Sequence, residues 1–90
     1  MKKGIITVVG KDQVGIIAKV CTFLADNHVN ILDISQTIIQ GYFNMMMIVD
    51  PSTSSQEFNV LSDALEKLGE EIGVSIKLQH EDIFNKMHRL

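Results

Sequence analysis

The sequence predicts an α+β fold in which a four-stranded antiparallel sheet carries two helices on one face. Three observations support this prediction. A β-branched run at 5–9 leads into a helical pattern, a hairpin-like segment follows at 31–50, and a second helical pattern leads into an alternating segment at 74–79. The order βαββαβ is that of the ferredoxin-like sandwich, in which right-handed crossovers place the first and third strands at the centre.

The first strand and the first helix are indicated by residues 5–27. The run at 5–9 is bounded by glycines and suits a central strand that is covered on both faces. Apolar residues at helical spacing then predict a helix over about 14–27, and they are Ile17, Val20, Cys21 and Leu24. Lys19 and Asp26 lie off this stripe, so we expect them to face water.

The next segment reads as an antiparallel hairpin. Residues 29–40 favour a strand, but Ile31 is out of phase with the isoleucines that follow it, which predicts a bulge or bend near Asp33. A short turn at 40–41 then returns the chain into a second strand at 42–50.

The strand at 42–50 has apolar residues on both faces. One face holds Phe43, Met45, Met47 and Val49, and the other holds Tyr42, Met46 and Ile48. Helices can cover only one of these faces, and monomers rarely expose large apolar patches. A terminal helix, another subunit or both are therefore needed, and a homodimer or higher homo-oligomer is predicted.

The last elements complete one predicted domain, 1–90, with its core at 3–80. The second helix has an apolar stripe made of Phe58, Leu61, Leu65, Leu68 and Ile72, and Gly73 suits its C-terminal end. Residues 74–79 alternate cleanly, as a half-exposed strand does. The apolar spacing within 81–90 predicts a short C-terminal helical extension.

Composition and charge exclude several functional classes. Residues 1–20 hold four lysines and one acid, whereas residues 50–82 hold eight acids and two lysines. The basic end lacks arginine, and Phe23 is the only aromatic residue in 1–40, so nucleic-acid binding is not expected. No apolar run is long enough to span a membrane, and the start is too short to be a signal sequence. We expect a cytoplasmic protein in which Cys21 is a reduced core thiol.

The glycine loop after the first strand, "VVGKDQVGIIAKV", raises the question of catalysis. Gly10 and Gly15 match G-x-x-x-x-G, but Ile16 and Ile17 replace the lysine and hydroxyl residue of a phosphate loop. Acylphosphatases share the topology but need an arginine there, and the only arginine is Arg89. We therefore predict that the protein is not an enzyme and that it has no catalytic residue, no cofactor and no metal site.

The N-terminus of the first helix can bind a ligand without catalytic residues. Its free backbone N–H groups and dipole favour a carboxylate as readily as a phosphate, and Gly15 allows close approach to the backbone. Asp12 can cap the helix or contact a ligand, and these roles are compatible. Non-covalent binding of a small carboxylate is the chemistry this loop offers.

Three segments of the chain resemble the ACT domain, a regulatory module that binds small molecules. They are "TVVGKDQVGIIAKV", "NHVNILDISQT" and "YFNMMMIVD". The chain is most similar to small stand-alone ACT-domain proteins, and it also resembles the ACT repeats of the glycine-cleavage-system transcriptional repressor. The resemblance implies a βαββαβ fold, paired subunits and an amino acid bound at the homodimer interface.

The same resemblance implies a set of ligand-binding residues, shared between the loop of one chain and the second strand of another. They are Asp12, Val14, Gly15, Ile16, Asn30 and Ile31. No attached enzyme or DNA-binding domain is evident, so we expect action on a separate protein partner. Some ACT domains bind no amino acid, and the alternative is a ligand-free protein–protein interaction and assembly module.

Overall fold

The computed structural model describes residues 3–11 and 13–81. These residues form four strands, two α-helices and one short 3-10 helix: β1 (Gly4–Lys11), α1 (Ile16–Asp26), β2 (Asn30–Ile39), β3 (Tyr42–Asp50), the 3-10 helix (Pro51–Thr53), α2 (Phe58–Ile72) and β4 (Val74–His80). The predicted C-terminal helix and the predicted ligand residue Asp12 fall outside the described residues, except for Glu81.

The strands form one antiparallel sheet in the order β2-β3-β1-β4. The predicted βαββαβ order and the central placement of β1 and β3 are therefore confirmed. Strands β2 and β4 are the two edges. Because β3 lies between β1 and β2, the segment β1-α1-β2 is a split βαβ unit.

The hairpin β2-β3 has the two irregularities that the sequence predicts. Its register shifts between Ile31 and Asp33, which makes Leu32 the extra residue of a bulge. Gln40 and Gly41 form the turn with φ of 50° and 81°. Two successive positive φ values are typical of the tight turn whose twist matches that of paired strands.

The core lies between the sheet and the two helices. Strand β3 contributes the predicted face, α2 contributes Leu61 and Leu65, and α1 contributes Ile16, Val20 and Leu24. Of the predicted α1 stripe, Val20 and Leu24 are buried and Cys21 is half-buried. The prediction is wrong at Ile17, which is 37% exposed, because Ile16, at 3%, packs in the core instead. The helix begins at Ile16 and not near residue 14.

Helix α2 approaches β4 very closely at Gly69. A Cβ atom built on Gly69 would lie 2.6 Å from the carbonyl oxygen of Val74. Any larger residue would therefore push the helix away from the strand. The contact explains why a glycine lies inside a helix, where it is intrinsically unfavourable.

The sheet face away from the helices is only partly covered. On this face Val9 is 47%, Tyr42 54% and Met46 43% exposed, whereas Ile5 is 7% exposed. The prediction that the first strand is covered on both faces therefore holds at Ile5 and is wrong at Val9. The predicted oligomer, which would cover these side chains, stays a prediction.

Candidate functional site

The loop between β1 and α1 opens the N-terminal end of α1 to its surroundings. Gly15 is the N-cap, with φ 93° and ψ 0°, in the left-handed region that glycine adopts without strain. Its carbonyl oxygen accepts a hydrogen bond from the N–H of Lys19 at 3.0 Å. The N–H groups of residues 16–18 have no intrahelical acceptor, and they form the positive end of the helix dipole.

No described atom stands over Gly15. A Cβ atom built at this position would meet nothing within 4 Å. The glycine is therefore not required by packing inside the chain. It is required by the backbone conformation, and it leaves room above the first turn of α1.

The neighbours of Gly15 point in opposite directions. The side chain of Val14 is fully exposed, whereas Ile16 belongs to the core. Of the predicted loop residues, Val14 can therefore offer its side chain to a ligand or a second subunit. Ile16 can offer only its backbone N–H.

Gln13 anchors this loop to the end of α2. Its side-chain Nε2 donates a hydrogen bond to the carbonyl oxygen of Ile72 at 2.6 Å. Gly73 ends α2 in the left-handed conformation with φ 80°, as the sequence predicts. The role of Gln13 was missed, because the pairing of a loop with the end of a helix 59 residues away leaves no local pattern.

Asn30 and Ile31 lie at the other end of the sheet. The loop follows Lys11, which pairs with Tyr42, whereas Asn30 pairs with Asp50 at the far end of β3. Eight residues of β1 separate these ends, a distance of about 23 Å at the rise of a β-strand. One small molecule cannot contact both groups within a single chain.

The predicted residues therefore fall into two half-sites. The loop half-site consists of Val14, Gly15 and Ile16, and the strand half-site consists of Asn30, Ile31 and the neighbouring Asp50. Helix α1 runs from the loop half-site toward the strand half-site. A binding site that uses both half-sites needs two chains.

Asp50 gives the strand half-site a negative charge. Hydrogen bonding from the side chain of Ser52, and then from its backbone N–H at 3.0 Å, holds the pKa of Asp50 below its ordinary value. The carboxylate is thus ionised at neutral pH. Sequence analysis missed Asp50, although the register of the predicted hairpin places the end of the strand at 42–50 opposite residue 30.

Within 3–11 and 13–81, no group of three or more His, Cys, Asp or Glu side chains could hold a metal ion. Among the helices described there, none is both long and apolar enough to cross a membrane. Cys21 is half-buried beside the core.

Comparisons with known proteins agree with this architecture. The ACT domain family model matches residues 4–79. A UPF0237 protein of Bifidobacterium longum is 61% identical over 90 residues, with complete coverage of both chains. The structure of an ACT domain protein from Streptococcus pneumoniae superposes with a TM-score of 0.81 at 44% identity, covering 92% of this chain and 93% of that one.

A more distant structure is also similar. The regulatory subunit of aspartate kinase from Thermus thermophilus, in its ligand-free form, aligns with a TM-score of 0.66 at 28% identity. The alignment covers 87% of this chain and 50% of that chain. Because the family model matches nearly the whole of the sheet and both helices, the chain belongs to the ACT domain family.

Proposed function

We propose that this chain senses an amino acid at a homodimer interface and acts on a separate protein partner. ACT domains are regulatory, ligand-binding modules. The observation that carries the proposal is the N-terminus of α1, where Gly15 leaves the positive helix end open. The proposal includes no catalytic role for any residue.

The charges of the two half-sites favour an α-amino acid over a simple carboxylate. The N–H groups at the start of α1 favour the ligand's carboxylate. Asp50 and the side-chain oxygen of Asn30 favour its ammonium group, because both are hydrogen-bond acceptors. An amino-acid zwitterion bound between two chains would place its carboxylate at the loop half-site of one chain and its ammonium group at the strand half-site of the other.

Action on a separate partner is supported by one relative. The aspartate kinase subunit of Thermus thermophilus is a regulatory chain. By analogy, we propose that ligand binding here changes how the dimer meets another protein. The ligand-free assembly module is the second candidate, favoured by the exposed apolar side chains of Val9, Tyr42 and Met46.

The test is a calorimetric screen of the twenty amino acids against the purified protein. Each amino acid that binds is compared with its des-amino carboxylic acid, which should bind more weakly because it lacks the ammonium group. No binding of any amino acid at millimolar concentration would refute the sensor and leave the assembly module.

The site assignment is tested by Gly15→Val. We expect it to weaken binding at least about tenfold, because its side chain would fill the space over the first turn of α1. Gly41→Val is the matched control, since Gly41 also has a positive φ and nothing within 4 Å of its Cβ position. Gly15→Ala repeats the test with less strain. Equal losses in the Gly15 and Gly41 variants would contradict the assignment.

A further inference from the structure

The outer face of the sheet, which is the face away from the helices, is protected from solvent at one end and open at the other. Ile5 and Val9 lie on this face of β1, four residues apart. Ile5 is 7% exposed, whereas Val9 is 47% exposed. On the neighbouring strand β3, Ile48 beside Ile5 is half-buried, whereas Tyr42 at the other end is exposed.

The described strands and helices do not account for this protection. Helices α1 and α2 pack on the opposite face of the sheet, where the core lies. Within the sheet, the neighbours of Ile5 are Ile48 and Gln79. Side chains stand roughly perpendicular to a sheet, so these neighbours shield the sides of Ile5 and not its outer end. A cover must therefore come from residues outside 3–11 and 13–81.

Residues 82–90 follow β4 directly, at the protected end of the outer face. The N–H of Glu81 donates a hydrogen bond to the carbonyl oxygen of Lys3 at 2.9 Å, so the chain is still held to the start of β1 at this point. The segment therefore starts one strand away from Ile5. Residues 1 and 2, at the same end, are too few to turn back over Ile5, because a reversal of the chain takes about four residues.

The segment 82–90 has the length and the pattern of a helix that crosses this face. Nine residues of α-helix extend about 13.5 Å, and strands lie about 4.8 Å apart, so such a helix reaches from β4 to β2. Its apolar residues recur at helical spacing and form one stripe, and they are Ile83, Phe84, Met87 and Leu90. Toward β2 the outer face has an opening of about 100 Å³, which is lined by Asp33, Ser35, Met46 and Ile48.

We propose that residues 82–90 form a helix that lies across the outer face of their own sheet, so that the protected end of this face is an intramolecular docking surface. The first apolar residues of the stripe contact Ile5, and the last ones reach the opening beside Met46. The helix leaves Val9 and Tyr42 uncovered, in agreement with their exposure. The proposal needs neither an amino acid nor a second chain, so it stands or falls separately from the proposed function.

Thiol reactivity in the full chain tests the proposal, because a buried thiol reacts only when its cover opens. Cys21→Ser first removes the native thiol. In that background, Ile5→Cys should react with a maleimide at least about tenfold more slowly than Val9→Cys. Phe84→Asp should then raise the rate of Ile5→Cys at least about tenfold, because burial of a phenylalanine side chain shifts an equilibrium by more than this factor. The rate of Val9→Cys should change less than about twofold.

Asn85→Asp is the matched control. It adds the same charge one residue later, on the polar side of the proposed helix. We expect it to leave both rates within about twofold of the background, as surface substitutions do. Met87→Asp repeats the test one turn further along and should act like Phe84→Asp. If circular dichroism shows that Ile5→Cys does not fold, Ile48→Cys takes its place on β3.

Protein concentration separates a cover from the same chain from a cover by a second copy. The first gives rates that are independent of concentration, whereas the second protects more strongly as concentration rises. Rates at Ile5→Cys that fall over about a hundredfold rise in concentration would assign the cover to a second copy and overturn the proposal. It would also be overturned by equal rates at Ile5→Cys and Val9→Cys, or by a Phe84→Asp variant that reacts no faster than Asn85→Asp.

Discussion

Replacing Gly69 with alanine tests the close contact between α2 and β4. On helix propensity alone, Gly69→Ala should stabilise the protein by about 1 kcal/mol. In the structure, however, the new Cβ would lie 2.6 Å from the carbonyl oxygen of Val74 and 3.1 Å from both the backbone nitrogen and Cγ1 of Ile76. The gain from helix propensity and the steric cost of the new Cβ have opposite signs, and the distances decide which of the two is larger.

The magnitude follows from the movement required. Ordinary contacts of a Cβ atom begin near 3.4 Å, so α2 and β4 must separate locally by about 0.8 Å. The nearest atom is a backbone oxygen of a paired strand and cannot rotate aside. Overpacking of this kind costs about 1–3 kcal/mol, and we take the upper value because two of the three contacting atoms, including the nearest, belong to the backbone. The expected net loss is about 2 kcal/mol.

Urea unfolding at a fixed protein concentration measures this loss. For a chain of this size, about 2 kcal/mol lowers the midpoint by more than about 1 M. Concentration must be fixed because dimerisation stabilises the folded state. Asp63→Ala, at an exposed position of the same helix, is the control, and we expect a gain of about 0.5 kcal/mol from propensity alone. The reasoning is refuted if Gly69→Ala stabilises the protein, as the control is expected to do.

Two further predictions concern the hairpin and its end. Gln40→Asn should stabilise the protein by about 0.5 kcal/mol, because asparagine tolerates the φ of 50° better than glutamine; a lower thermal midpoint would contradict this. Asp50→Asn should lower stability at pH 7, where the lowered pKa keeps the carboxylate ionised. Since this stabilisation disappears as pH falls below the ordinary aspartate range, the urea midpoints of wild type and variant should converge in acid; a constant difference would refute it.

Much of the fold follows from local pattern. The stripe from Phe58 to Ile72 predicts α2, and the glycine after it predicts where the helix ends. The phase error at Ile31 predicts the bulge that the register shift confirms. Alternation in β3 and β4 also predicts their buried faces. These features depend on neighbours in sequence, so the sequence alone contains them.

The start of α1 is less well determined. Ile16 and Ile17 are both isoleucine, and the pattern alone does not say which one faces the core. In the structure Gly15 is the N-cap, α1 begins at Ile16, and Ile16 packs in the core with Val20 and Leu24. The packing of the helix on the sheet therefore decided which isoleucine became core and which became surface.

The sequence by itself determined the order of elements and the buried faces of most strands, whereas carboxylate binding by the loop stays a prediction. Only the tertiary structure decided that the loop residues and Asn30 lie at opposite ends of the sheet. It also placed Asp50 beside Asn30, joined Gln13 to Ile72 and explained Gly69. The physical reason is that spacing along a chain encodes which face a residue occupies, whereas distances between segments depend on how the strands pair and how closely helices pack on them.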